Sequence, residues 1–510
     1  MLRLVTNIPL PVHILLLVLI PLLRLPSFDG GFFLGEESFY LLAAQKLSQG
    51  GDLYTDLWTA GPPVMIWLYR IIYAVFGEAS LTAIRVLSCI YIYITAVYFA
   101  GTLNQFRPFG RMIGMPAVLF VILCSIPWYG QQMSASLFVL LPMCASFFAI
   151  LQLRERAPQN NFWMFYAGLW LMICTLASYK YIFIGFGLLL TYLLLKSPRL
   201  PEVLSFFLGI FVVLISFLLI LFYTGSLHSY WDVGVLYYLD RIFLTDSQVY
   251  AYHSLDTVQV WVRNWGVFLL FAGIGFMHFR IRFYSYVAQL RTLELTMAVW
   301  LVSVFLILLF KYSRLELNDI LLLAPPMAFY ASKVFDFKWG GKYRAILIPL
   351  SLLLPAIIYL NYWGIRLPDT MATFRPKDES LFYHGGLKNL LERDTPLHRY
   401  DFGDASHSVW VMDYYPELYL SLGQHIENKY LDYRIAWYKM EALPNEDQGS
   451  FLSRIEAEND LFQEFTQHPP DFVIDPHGNF TVLQKRYPSL FGNYEPEQLG
   501  TTKVYRRLSP

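Results

Sequence analysis

Two adjacent carboxylates, Glu36 and Glu37, open the stretch Gly35–Tyr54, GEESFYLLAAQKLSQGGDLY. They stand at the start of a short amphipathic helix that follows the first membrane-length apolar run. A carboxylate placed there can take the proton of an attacking hydroxyl, which transfer to a hydroxyl acceptor requires. Such a reaction also calls for a cation or a divalent metal to steady a departing phosphate, and acids can hold the metal. On a helix, Glu37, Tyr40 and Ala44 share one face and Glu36, Tyr40 and Ala43 the adjoining one, so the two acids need not do the same job. The competing structural reading is that acids in a first helical turn complement the helix dipole.

The other side chains with ligand chemistry form no comparable pattern. His228, His253, His398, His407 and His425 lack tight metal-ligand spacing. Asp401, Asp404 and His407 could share a metal, but read more simply as a polar loop. Cys89, Cys124, Cys144 and Cys174 all lie inside apolar runs and read as small core residues rather than disulfides or ligands. No Gly-rich nucleotide fingerprint or P-loop is present. No cofactor is implied beyond the divalent metal.

The elements that must position the acids belong to a membrane protein. Of 510 residues, 56% are hydrophobic and 15% charged, where a soluble domain carries about a quarter charged residues. The formal net charge is zero, which removes a bulk electrostatic attraction to nucleic acid. The 18% aromatic content suits Trp and Tyr at membrane interfaces. Apolar runs near 8–25, 80–103, 111–128, 133–153, 161–177, 179–196, 203–223, 261–279, 292–311, 318–334 and 344–361 predict about eleven spans. The run 8–25 is closed by Arg24 without a small-residue cleavage site, and reads as an uncleaved span.

Charge orders these spans. With the N-terminus inside, the inner loops hold Arg107 and Arg111, Arg154 and Arg156, Lys196 and Arg199, then Arg280, Arg282 and Arg291, and finally Lys333, Lys338, Lys342 and Arg344. The alternation follows the positive-inside rule and puts both the first loop, 26–79, and the C-terminal tail on the outer side. Pro62–Gly77 is too short to span at about 24 Å, so it is expected as a helix on or in the outer face, started by proline and stopped by glycine. The loop near 224–260 is rich in Tyr, Asp and His, and either lines a site or anchors at the interface through Trp231, Tyr237 and Tyr238.

From about residue 364 the composition turns polar. Val409–Met412, Phe472–Ile474 and Lys503–Arg507 read as strands, and Glu417–Ser421 and Phe451–Phe465 as helical. The expected architecture is therefore a multi-span α-helical transmembrane domain, 1–363, with juxtamembrane helices in its first outer loop. A small extracytoplasmic α/β domain, 364–510, follows.

The arrangement resembles the C-type membrane glycosyltransferases, which include protein O-mannosyltransferases and the lipid A aminoarabinose transferases. The resemblance rests on Glu36-Glu37, Tyr40, Gly51-Asp52-Leu53-Tyr54, Asp56, Pro62-Pro63 and Ala83–Ser88. Looser matches are Ser178-Tyr179-Lys180, the run Arg314–Pro325, and in the tail Glu417-Leu418-Tyr419, Pro469–Ile474 and Val504–Arg507. It implies transfer of one sugar, with inversion, from a polyprenyl-phosphate carrier to a lipid, glycan or protein on the outer face of the cytoplasmic membrane. Glu36 and Glu37 would be the catalytic pair. Arg85, Lys180, Lys311 and Arg314, at outer span ends, would bind the donor phosphate or else snorkel to headgroups. Tyr40, Tyr54 and Asp56 would support the site. The chain departs from the family in having Glu36 where Asp is usual, and Phe39 where the lipid A enzymes often have a basic residue, so the sugar does not follow. A lipid or glycan transporter, and a glycan polymerase or ligase, are the competing functions; inverted repeats that would mark a transporter are not evident.

Overall fold

The structure, a computed structural model, describes residues 8–28, 35–106, 114–153, 159–236, 266–309, 317–334, 400–411, 418–422 and 465–508, with short breaks within several of these ranges. Lys311 and Arg314, most of the loop near 224–260 and the expected span 344–361 lie outside the described residues.

The apolar runs form helices: α1 (Leu10–Phe28), α2 (Gly35–Ser48), α3 (Val64–Phe76), α4 (Ser80–Phe106), α5 (Met115–Ser125), α6 (Ala135–Phe138), α7 (Leu140–Leu151), α8 (Asn160–Ala177), α9 (Ile182–Leu195), α10 (Leu200–Tyr223), α11 (Ala288–Leu309) and α12 (Ala324–Lys333). Two are long and apolar enough to cross a membrane unaided, Ser80–Gln105 and Leu200–Tyr223. On α10 the exposed residues Leu204, Leu208, Phe211, Ile215, Leu219 and Phe222 recur at helical spacing along one stripe, as lipid-facing residues do.

Three expected elements differ from the sequence reading, two of them for the same reason. The run 133–153 is two helices, α6 and α7, because Pro142 falls in the first turn of α7, where its missing N–H is harmless. The run 318–334 is a 3₁₀ segment, Leu317–Leu323, followed by α12, whose first turn holds Pro325 and Pro326. The run 179–196 opens instead with a 3₁₀ turn, Tyr179–Tyr181, before α9. The short helix expected over Pro62–Gly77 is α3, with Pro63 at its N-cap and Gly77, at a φ of 55°, as its stop.

The tail contributes a four-stranded sheet of β1 (Val409–Val411), β2 (Phe472–Asp475), β3 (Tyr494–Leu499) and β4 (Thr502–Arg507), in the order β1-β2-β4-β3. β1 and β2 are parallel, and β4 runs antiparallel to both its neighbours. Side chains alternate between the faces. Trp410, Val473 and Tyr505 pack with Phe480, Leu483 and Phe491 from the helices α13 (Asn479–Arg486) and α14 (Pro488–Phe491). Val409, Val411, Phe472, Ile474 and Val504 face the other way, into a core that also contains Phe39, Leu42, Ala43 and Leu47 of α2. The sheet and the helix bearing Glu36 and Glu37 thus lie on the same side of the helical bundle. Of the helical stretch expected over Phe451–Phe465, only Phe465 is described, at the start of a helical turn.

Candidate active site

The site begins at the first turn of α2. This helix is buried between two cores, with Leu41 and Ala44 packing into the helical bundle and Phe39, Leu42, Ala43 and Leu47 into the core shared with the sheet. Its end is fixed by the Ser48 hydroxyl, which donates to the Ala44 carbonyl at 2.8 Å, and by Gly50 at a φ of 102°, a conformation glycine takes without penalty. The turn that follows is locked by Asp56, whose carboxylate accepts the Asp52 N–H at 2.7 Å. Tyr54 holds a φ of 70°, costly for a bulky residue. It is stabilised by its own N–H donating to the Leu57 carbonyl at 2.9 Å and by its buried ring, edge-on to Tyr230 at 5.2 Å. Asp56 and Tyr54 therefore shape the loop.

The two acids part company at once. Glu37 is 1% exposed and Arg85 of α4 is 3% exposed, and they form an ion pair at 3.2 Å. Burial raises the Glu37 pKa, while Arg85, Arg24 and the Met133 backbone N–H oppose that rise. Glu36 is half-buried, and its carboxylate lies within electrostatic reach of the Tyr69 and Tyr181 phenols. Tyr40 stacks at a tilt on Tyr69, with ring centroids 5.3 Å apart.

A second polar cluster meets Glu36 through Tyr181. Lys180 donates to the buried Asp319 carboxylate at 2.8 Å. The other Asp319 oxygen accepts from Ser136 at 3.1 Å and from Tyr181 at 3.3 Å, and Ser136 and Tyr181 are themselves 2.8 Å apart. Lys180 and Tyr181 come from the 3₁₀ turn Tyr179–Tyr181, Asp319 from the 3₁₀ segment Leu317–Leu323 and Ser136 from α6. Tyr179 also shares a hydrogen bond of 2.6 Å with Tyr230, which links this cluster to the aromatic anchor under Tyr54.

The structure thus gathers Glu36, Glu37, Tyr40, Arg85 and Lys180, and gives Tyr54 and Asp56 a place in the adjoining loop. It adds two residues that the sequence reading did not single out. Asp319 sits in the run Arg314–Pro325, beside Asn318 and three residues after Glu316, where sequence alone does not set it apart. Arg24 looked like the end of a span; it is fully buried, and its guanidinium donates to Ser88 at 2.6 Å, to the Gln131 carbonyl at 2.6 Å and to the Gly130 carbonyl. The segment 130–136 runs between both clusters: its Met133 carbonyl accepts from Tyr69 at 2.9 Å, and Ser136 reaches Asp319. Among the described residues, no three His, Cys, Asp or Glu side chains converge as a metal cage. Asp401 and Asp404 lie outside the described residues.

No protein-family model and no curated protein matches the chain. Solved structures do match it over nearly its whole length. ArnT from Cupriavidus metallidurans bound to undecaprenyl phosphate superposes with a TM-score of 0.61 at 11% identity, covering 97% of this chain and 98% of that one. The apo state of the same protein gives 0.58 at 11% identity, with 97% of each chain covered. The chain has the C-type membrane glycosyltransferase fold.

Proposed function

We propose that this chain, built on the fold of a C-type membrane glycosyltransferase, is itself one. It moves a single sugar from a polyprenyl-phosphate carrier to a hydroxyl on a lipid, glycan or protein at the outer face of the cytoplasmic membrane. The observation that carries this reading is the gathering of paired acids beside cations: Glu37 forms a buried pair with Arg85, and Glu36, more exposed than Glu37, lies within electrostatic reach of Tyr69 and of Tyr181 beside the Lys180–Asp319 pair.

In this scheme Glu36 takes the proton of the acceptor hydroxyl. The acceptor oxygen then attacks the anomeric carbon as the bond from that carbon to the phosphate oxygen breaks, and the polyprenyl phosphate leaves with both electrons. One displacement inverts the anomeric centre. Glu37 is held by Arg85, so it is not offered as a nucleophile for a second displacement. The undecaprenyl phosphate bound to ArnT supports the carrier class.

Charge balance points to where the phosphate is met. The described site holds Arg24, Arg85 and Lys180 against Glu36, Glu37 and Asp319, three cations and three anions. A departing phosphate adds negative charge and calls for a further cation. Arg314 and Lys311, just ahead of the 3₁₀ segment that bears Asp319, are the residues assigned to it, with Lys180 able to turn from Asp319 to the phosphate.

The test is to reconstitute the purified protein in lipid nanodiscs with polyprenyl-phosphate-linked sugars and to measure free polyprenyl phosphate by mass spectrometry. Release that depends on an acceptor is expected. Movement of the intact lipid-linked sugar between leaflets, with no covalent product, would identify a transporter instead.

A further inference from the structure

We infer that Arg24 is a positioning residue that fixes the Arg85–Glu37 pair through the Ser88 hydroxyl; this rests on the glycosyltransferase reading. The chain of contacts is continuous. Arg24 of α1 donates to Ser88 Oγ at 2.6 Å. Ser88 Oγ donates in turn to the Arg85 carbonyl at 2.7 Å, one turn back along α4. Arg85 Nη2 then reaches Glu37 Oε2 at 3.2 Å. The Arg24 end is held by the Gln131 and Gly130 carbonyls. Gln131 returns the contact by donating its side-chain amide to the Leu23 carbonyl at 2.8 Å, and Ser27 donates to the Arg24 carbonyl at 2.7 Å.

A plain helix staple does not explain this arrangement. Burying a guanidinium in an apolar bundle is costly, and neutral side chains could join α1 to α4 without that cost. What an arginine adds is a rigid fork with several donors and a positive charge whose field also reaches Glu37. The fork pins three separate pieces at once: α1, the α4 turn that presents Arg85, and the segment 130–136, which carries both the Tyr69 acceptor and Ser136. Glu36 is one residue from Glu37 on the same helical turn. Holding Glu37 therefore sets the angle at which Glu36 meets an acceptor.

Ser88→Ala, Ser88→Thr and Arg24→Lys, compared with wild type in nanodiscs, test this by separating kcat from the donor KM. Ser88→Ala removes the relay but keeps both charges, and its kcat is expected to fall about 10- to 100-fold, as for a small misplacement of reacting groups. Its donor KM is expected to stay within about 2-fold, because no substrate contact is lost. Ser88→Thr keeps the hydroxyl and should restore kcat. Arg24→Lys, a point charge without the fork, should resemble Ser88→Ala, and it carries the test if Ser88→Ala does not fold. Wild-type kcat in both Ser88→Ala and Arg24→Lys, even with a lowered Tm, would overturn the inference and leave a purely structural staple. An inactive wild type would refute the glycosyltransferase reading itself, and this inference would fall with it.

Discussion

Glu36 and Glu37 are chemically identical and one residue apart, yet they carry different loads. Glu37 lies in a buried pair with Arg85. Removing one partner of such a pair leaves the other charge buried and uncompensated, a loss of about 3–5 kcal/mol. Glu37→Gln is therefore expected to lower Tm sharply in detergent or nanodiscs, and Glu36→Gln, at a less buried position, to lower it less; equal Tm values for the two variants would contradict the division. The pair itself is legible in the sequence, because adjacent acids stand out in so apolar a chain. Which acid pairs with Arg85 is not, since Arg85 is brought close only by the packing of α4. Arg24 and Asp319 are hard to read for a related reason. Arg24 is a lone charge at the end of an apolar run and Asp319 is one of three charges in Arg314–Pro325, and only the folded structure supplies their partners.

Helix breaks matter more than helix count among the elements. The Leu317–Leu323 3₁₀ segment and the Tyr179–Tyr181 turn present Asp319 and Lys180 to each other. Hydropathy reads each of these runs as a plain span, because an apolar 3₁₀ turn and an apolar α-helix have the same composition. Pro325 and Pro326 mark the first of these breaks, and residues 179–196 hold no proline to mark the second. In the tail, β3 escaped the sequence reading because YEPEQL is polar and carries a proline. Its place at the sheet edge accounts for both features. Elsewhere the helices meet at glycine. A methyl group added at Gly209 of α10 would land on the Phe165 carbonyl of α8, and one at Gly168 on the Phe206 carbonyl. Gly209→Val should therefore push α8 and α10 apart and cost about 1–3 kcal/mol, measured as a fall in Tm. An unchanged Tm would show that this helix contact is loose.

The molecule as a whole places its chemistry by sidedness. The C-terminal sheet and α2 share one core, so whichever side of the membrane holds one holds the other. Loop charges predict that both are outside, which surface labelling tests. Gln49, at the end of α2, and Glu495, on β3, are exposed. In a background lacking the native cysteines, Gln49→Cys and Glu495→Cys should both react with a membrane-impermeant maleimide on intact cells. Labelling of Gln49→Cys only after permeabilisation would leave a polyprenyl-linked sugar on the wrong side of the bilayer from Glu36.

The most direct measurement is the rate of sugar transfer by purified Glu36→Gln, with donor binding followed in the same nanodiscs. Loss of a positioned general base is expected to lower kcat by about 10²- to 10⁴-fold while the protein stays folded and still binds the polyprenyl-phosphate sugar. Wild-type turnover by Glu36→Gln would contradict its role as the base.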